Sequence, residues 1–178
     1  MRKFIVLLLL LLSLISIAGC DKEQVKDSAK AATTQAVQQS FIVYRAAADG
    51  SERLLPEKLS VKDNGKSPME NALQSLVATK PGDAKYNDVV PIGTKVLGLK
   101  VENGTAFADF SKELIKKGQG SYEEMMLCYA IVNTLTEFPE VKRVQILIEG
   151  KKVVSLGGHI DVEEPLTRNT SLLAANNK

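Results

Sequence analysis

One short segment near the C-terminus holds the side chains best suited to metal or acid–base chemistry. The only histidine of the chain, His159, lies in SLGGHIDVEEPL with Asp161 and Glu163 at alternate positions. In an extended backbone, alternate residues point to the same side of the chain, and one imidazole with two carboxylates can bind a transition metal. However, Gly157-Gly158 and Pro165 flank the set, and the sequence offers no second cluster to support it. We therefore predict no metal and no cofactor here, and expect these three residues to have structural or interaction roles. His159 is expected to make a polar contact that fixes the last strand. Asp161 and Glu163 are expected to form a solvated edge.

Other reactive side chains lack the partners that catalysis needs. Asp109 and Ser111, in ADFSKE, are an acid and a hydroxyl, but a serine nucleophile requires a neighbouring base and an oxyanion site. Their positions favour capping of a short helix after the strand. Cys128 lies in the apolar stretch MMLCYAIV, which predicts a small buried hydrophobe. No catalytic residue is predicted, and the chain is not expected to be an enzyme.

The N-terminal segment MRKFIVLLLLLLSLISIAGC is typical of an export signal. Two basic residues precede an apolar run, and small residues follow it. A membrane-spanning helix needs about 20 apolar residues, and this run is shorter. Ile17–Cys20 resembles the bacterial lipobox, which predicts that residues 1–19 are removed and that Cys20 receives a diacylglyceryl group. Two acyl chains hold a protein stably at a membrane, so we expect a lipid-anchored protein on the extracytoplasmic face. Cleavage elsewhere, giving a free secreted protein, is the alternative.

The charge of the mature chain argues against a nucleic-acid partner. Loss of residues 1–19 removes two of the 23 basic residues and none of the 21 acidic ones, which leaves a formally neutral chain. Nucleic-acid binding requires a basic surface. The remaining 20–40 segment is polar and alanine-rich, and we interpret it as a lipidated tether. One domain is predicted over 41–168, followed by a flexible tail over 169–178.

The helix-start and turn signals of the domain predict an α+β fold. Two segments carry capping-box patterns that begin helices, Ser67 with Glu70 and Ser121 with Glu124. Asn103-Gly104 is a residue pair that type I′ hairpin turns prefer. The order strand-strand-helix, strand-strand-helix, strand-strand predicts a mainly antiparallel sheet covered by two principal helices.

The residues from Phe41 to Arg168 resemble the sporulation and spore germination domain called GerMN. The most specific parts are NTLTEFPEVKRVQILIEGK and LGGHIDVEEPL. The resemblance implies a compact domain of envelope lipoproteins, related to folds described as ring-building motifs, and supplies no catalytic mechanism. It therefore favours a non-catalytic, membrane-anchored lipoprotein that acts through envelope protein partners or self-association in sporulation or germination. Binding of peptidoglycan or another wall glycan through Tyr44, Tyr86 or Tyr122 is the alternative, and an envelope hydrolase is the third.

Overall fold

The computed structural model describes residues 38–78 and 84–173. The predicted signal peptide, the predicted lipidation site Cys20 and most of the predicted tether lie outside the described residues. Within them the chain forms eight strands, two α-helices and two short 3₁₀ turns. The strands are β1 Gln38–Ala47, β2 Leu54–Lys62, β3 Tyr86–Asn87, β4 Val96–Glu102, β5 Thr105–Phe110, β6 Arg143–Ile148, β7 Lys151–Lys152 and β8 Leu166–Thr167. The helices are α1 Pro68–Val77 and α2 Ser121–Leu135, and the 3₁₀ turns are Lys112–Leu114 and Thr170–Leu172.

The strands form two sheets, and the predicted α+β class with two principal helices is confirmed. In the first sheet the order is β2-β1-β3, all antiparallel. In the second the order is β4-β5-β6-β7, with β8 also paired to β6. The prediction of one sheet was too simple. In the second sheet β5 and β6 run parallel, because α2 connects them and a helical crossover returns the chain in the same direction.

Helix α1 begins as its sequence predicts. The Ser67 hydroxyl accepts the Glu70 N–H at 3.2 Å, and the Glu70 carboxylate accepts the Ser67 N–H at 2.8 Å. Pro68 occupies the first turn, where its missing N–H is not needed. The helix buries Met69, Leu73 and Leu76 against the core.

Helix α2 is the centre of the core, as its apolar sequence predicts. Leu127, Ile131 and Leu135 are fully buried, and each such side chain contributes roughly 1.5–3 kcal/mol relative to exposure. The predicted capping box at its start is wrong. The N-cap residue is Gly120, no side chain caps the helix there, and Glu124 is turned inward.

Both β-turns of the second sheet use left-handed backbone. Asn103 and Gly104 have φ of 49° and 75°, as a type I′ turn requires, so this prediction is confirmed. Glu149 and Gly150 have φ of 49° and 76° and turn β6 into β7.

The domain extends beyond the predicted boundaries at both ends. Strand β1 begins at Gln38, inside the predicted tether. Residues 169–173, which were predicted to belong to a flexible tail, pack on the domain instead: Leu172 is 8% exposed and Leu173 bridges to Leu54. The tail prediction overlooked that these leucines can bury apolar surface. Residues 174–178 lie outside the described residues.

Candidate functional site

The segment that carries His159, Asp161 and Glu163 is a loop. Residues 153–165 contain bends and no strand, and Gly158 has a φ of +103°. The expectation that His159 fixes a last strand is therefore wrong, and so is the argument that alternate residues share a face. All three side chains are exposed. The Asp161 carboxylate accepts the Glu163 N–H at 2.9 Å, which is a local turn contact. Within 38–78 and 84–173, no three His, Cys, Asp or Glu residues are grouped to hold a metal ion.

A buried carboxylate on α2 holds this loop. Glu124 is fully buried, and its Oε1 accepts the N–H groups of Leu156 at 2.9 Å and Gly157 at 2.7 Å. Its Oε2 accepts the His159 N–H at 2.7 Å. Burial raises the pKa of Glu124, but the backbone N–H donors outweigh it, so that the pKa lies below its usual value. Glu124 is thus an ionised group satisfied by loop backbone.

The ring of His159 makes a second contact that holds the loop against the start of α2. Its Nε2 lies 3.1 Å from the carbonyl oxygen of Gln119, just before α2. Gly157 packs so closely here that an added Cβ would lie 2.7 Å from the side chain of Gln119 and 3.0 Å from Oε2 of Glu124. Only glycine fits this position without displacing its neighbours. The role of Glu124 is not predictable from its local pattern, because Ser121 and Glu124 match the spacing of a capping box.

The remaining reactive residues also serve the fold. Burial, together with the charge of Glu124, raises the pKa of the Cys128 thiol to about 12, so the thiol stays protonated at neutral pH. The carboxylate of Asp109 accepts the Gly150 N–H at 2.8 Å. Ser111 is the N-cap residue of the 3₁₀ turn Lys112–Leu114, but its hydroxyl makes no capping hydrogen bond and instead accepts the Lys95 N–H at 3.0 Å. The capping prediction is therefore confirmed for the position of Ser111 and wrong for the two side chains, which join neighbouring segments.

A second polar network closes the C-terminal end of the domain. The guanidinium of Arg168 pairs with the carboxylate of Glu137 and donates to the hydroxyl of Tyr44 at 2.8 Å. That hydroxyl in turn donates to Glu137 at 2.7 Å. Burial, followed by the bond to Glu137, raises the pKa of Tyr44. The side chain of Asn133 donates to the Asn169 carbonyl and accepts its N–H, both at 2.9 Å, which fixes the following residues on α2.

The three tyrosines considered for glycan binding do not form an open aromatic platform. Tyr44 is 6% exposed and belongs to the network above. Tyr86 is half-buried, and the Lys85 ammonium lies 5.2 Å from the centre of its ring. Tyr122 is half-buried, with its hydroxyl 3.4 Å from the carbonyl oxygen of Ser51.

Two open grooves flank Phe138, which is partly buried and packs against the hydrophobic core. The first has a volume of about 330 Å³ and the second about 300 Å³. The first is lined by Ser67, Pro68, Met69, Glu70, Leu99, Val101, Phe138 and Glu140. The second is lined by Ser40, Phe41, Ile42, Lys58, Glu137 and Phe138. Both linings combine apolar and charged side chains. Among the described residues, no helix has the length and apolarity to span a membrane.

These features define an α+β domain in which two helices pack with two mainly antiparallel sheets and the buried polar groups hold loops and the C-terminal segment. The chain belongs to the Germane family, described as sporulation and spore germination, whose model matches residues 42–154. The predicted GerMN likeness is thereby confirmed, and the chain is a protein of the sporulation and germination class.

Solved structures have the same fold. The first GerMN domain of the sporulation protein GerM from Bacillus subtilis is similar with a TM-score of 0.61 and 24% identity, over 72% of this chain and 97% of that one. The tandem GerMN domains of GerM give a TM-score of 0.61 and 21% identity, over 77% of this chain and 48% of that one. This chain therefore spans about half of the tandem structure.

A candidate lipoprotein from Clostridium perfringens gives a TM-score of 0.50 and 22% identity, over 78% of this chain and 95% of that one. A search of curated proteins finds no match to this sequence. None of these three structures is of a protein named as an enzyme.

Proposed function

We propose that this chain is a lipid-anchored module of the bacterial envelope that acts in sporulation or spore germination through protein contacts and without catalysis. The observation that carries the proposal is that the buried polar groups stabilise the fold, whereas two surface grooves are left open. The buried Glu124 and the Arg168–Glu137 pair are committed to holding backbone and side chains of the domain. The grooves beside Phe138 stay open.

Three further features support the absence of catalysis. The thiol of Cys128 is buried and protonated. Asp109 and Ser111 bond to backbone N–H groups of neighbouring segments. The single histidine directs its Nε2 toward a backbone carbonyl, whereas a general base must face a substrate proton.

The anchor rests on the lipobox-like Ile17–Cys20, and the likeness to a candidate lipoprotein is in keeping with it. The Cys20→Ala chain should leave the membrane fraction or accumulate unprocessed, because it lacks the acyl attachment. The Cys128→Ala chain is the matched control, since it removes the other cysteine and should stay with the membrane. Release of neither chain, together with a native Cys20 that mass spectrometry finds unmodified, would refute the anchor.

The protein contacts can be tested in sporulating cells. Crosslinking of the full chain followed by mass spectrometry should recover envelope proteins or further copies of the chain, with crosslinks close to the grooves. A chain that is soluble and yields no neighbours would contradict the proposal. Zymography against cell walls should show no cleared band, and a band dependent on the chain would contradict the absence of catalysis.

Cosedimentation with purified cell walls separates this function from wall-glycan binding. We expect little retention, because the three tyrosines discussed above are buried or half-buried. Retention that free wall fragments compete away would support the alternative.

A further inference from the structure

One end of the second sheet presents apolar side chains among lysines. Ile92 is 84% exposed and Ile115 is 36% exposed. The two segments adjoin, since an added Cβ at Gly93 would lie 3.8 Å from Cγ of Glu113. Four exposed lysines belong to the same segments, at positions 95, 112, 116 and 117. We call Ile92, Ile115 and these four lysines the basic end; Glu113 is the acidic residue among them.

The first groove beside Phe138 has the complementary character. Its apolar lining comes from Pro68, Met69, Leu99, Val101 and Phe138. Its charged lining consists of Glu70 and Glu140, with no lysine or arginine among the lining residues. We call it the acidic groove.

The carboxylates of Glu70 and Glu140 in the acidic groove are available to pair with a cationic side chain. The backbone N–H of Ser67, and then its hydroxyl, hold the pKa of Glu70 below its usual value, so Glu70 is ionised at neutral pH. These bonds use its Oε2. Glu140 is exposed. Lys66 lies beside Glu70, but its ammonium is bonded to Gln74 at 2.7 Å.

The two features lie at opposite ends of β5. Val101 of the groove pairs with Ala106, near the start of β5, whereas Ile115 comes five residues after Phe110, the last residue of that strand. Six strand residues span about 20 Å. A single copy therefore cannot place its own basic end in its own acidic groove, while two copies can.

We propose that the basic end of one copy docks in the acidic groove of a second copy. Ile115 enters the apolar part of the groove, and Lys116 and Lys117 face Glu70 and Glu140. The contact joins two different surfaces, so each copy keeps one free end, and repetition produces an open chain or a closed ring. The inference deepens the proposed function, on which it rests for its cellular setting, by naming a second copy as one of the protein contacts.

A charge-swap experiment tests the contact. The full chain is purified in a neutral detergent, and its association is measured by sedimentation velocity. Glu140→Lys should weaken association about tenfold or more, because the groove then repels the lysines. Lys116→Glu with Lys117→Glu should weaken it similarly. An equimolar mixture of the two variants should associate again, since each altered groove then meets an oppositely altered segment.

Matched controls separate the contact from general charge and anchor effects. Glu52→Lys, and Lys151→Glu with Lys152→Glu, make the same charge changes at exposed positions outside both surfaces and should associate as the natural chain does. Two chains could also associate because their lipid anchors share one detergent micelle. Such association would not depend on the groove and would therefore persist in Glu140→Lys. A monomeric natural chain, or variants that associate normally, would overturn the proposal.

Two further outcomes are informative. Protection of residues 112–117 from hydrogen exchange that arises only in phosphatidylglycerol vesicles, in a chain that stays monomeric, would assign the basic end to the membrane and overturn the proposal. Failure of the charge swap in a chain that still crosslinks to other envelope proteins would leave the proposed function standing. The two proposals therefore fail separately.

Discussion

The carboxylate of Glu124, inside the core, accepts the backbone N–H of His159 at 2.7 Å. The two residues are 35 positions apart, and their contact makes the loop that follows β7 part of the folded domain. The histidine contributes its backbone to this contact, so it is positioned by a glutamate whose local sequence pattern predicts a helix cap instead.

Replacing Glu124 with glutamine should destabilise the domain by about 2–4 kcal/mol. The amide accepts through one oxygen only, and its NH₂ group would face backbone donors in a buried site. Chemical denaturation measures the loss, and Glu123→Gln, an exposed change of the same kind one residue earlier, should cost less than about 0.5 kcal/mol. Equal stability of the two variants would show that Glu124 does not hold the loop.

The contribution of Glu124 to stability should depend on pH. Its folded pKa lies below the usual value of 4.5, so the folded state favours the ionised form. The stabilisation is complete above the unfolded pKa and is lost as the pH falls through the folded pKa. Denaturation of the natural chain and of Glu124→Gln, from pH 7 down to pH 3, should therefore give a stability difference that shrinks below about pH 4.5. A constant difference would contradict this assignment.

Gly157→Ala should cost about 2 kcal/mol or more, because the new methyl group would collide with Gln119 and Glu124. Gly98→Ala is the control. There the nearest neighbour of an added Cβ is the Cβ of Asp109 at 3.9 Å, an ordinary contact, and the cost should stay below about 1 kcal/mol. Thermal unfolding of both variants, with hydrogen exchange over residues 156–160, tests the prediction. Unchanged exchange in Gly157→Ala would contradict it.

Arg168→Lys should loosen the C-terminal segment. Lysine cannot reproduce the planar arrangement that reaches Glu137, Tyr44 and the Asn133 carbonyl together. We expect a loss of about 1–3 kcal/mol and faster hydrogen exchange at residues 169–173. Arg53→Lys, at an exposed site, should change neither. If residues 169–173 of Arg168→Lys exchange as slowly as in the natural chain, the prediction is wrong. The segment would then be held by the burial of Leu172 and Leu173 and not by Arg168.

The thiol of Cys128 should be inert in the folded protein. Its pKa of about 12 and its complete burial leave almost no accessible thiolate at pH 8. In the Cys20→Ala chain, iodoacetamide should label Cys128 only as fast as the domain unfolds, and at full speed in denaturant. Labelling that outpaces unfolding would mean that the core opens locally at α2.

The helices and turns were largely predictable because their signals are local. Ser67 and Glu70 are three residues apart, and the backbone geometry of a helix start brings them together. Asn103 and Gly104 adopt positive φ at little cost, so the hairpin follows from two adjacent residues. The same reasoning failed at Ser121 and Glu124, since the local pattern is identical but the core offered the glutamate three backbone N–H groups of a distant loop.

The sequence by itself determined the α+β class, the two helices, the hairpin turn at Asn103-Gly104 and the family, because each rests on residue type and short-range spacing. Only the tertiary structure decided the parallel pairing of β5 with β6, the burial of Glu124 and the opposite placement of the acidic groove and the basic end. Those features depend on contacts between residues far apart in the chain. Their stability depends on the desolvation of side chains and on hydrogen bonds to buried polar groups, and neither can be predicted from a local sequence pattern.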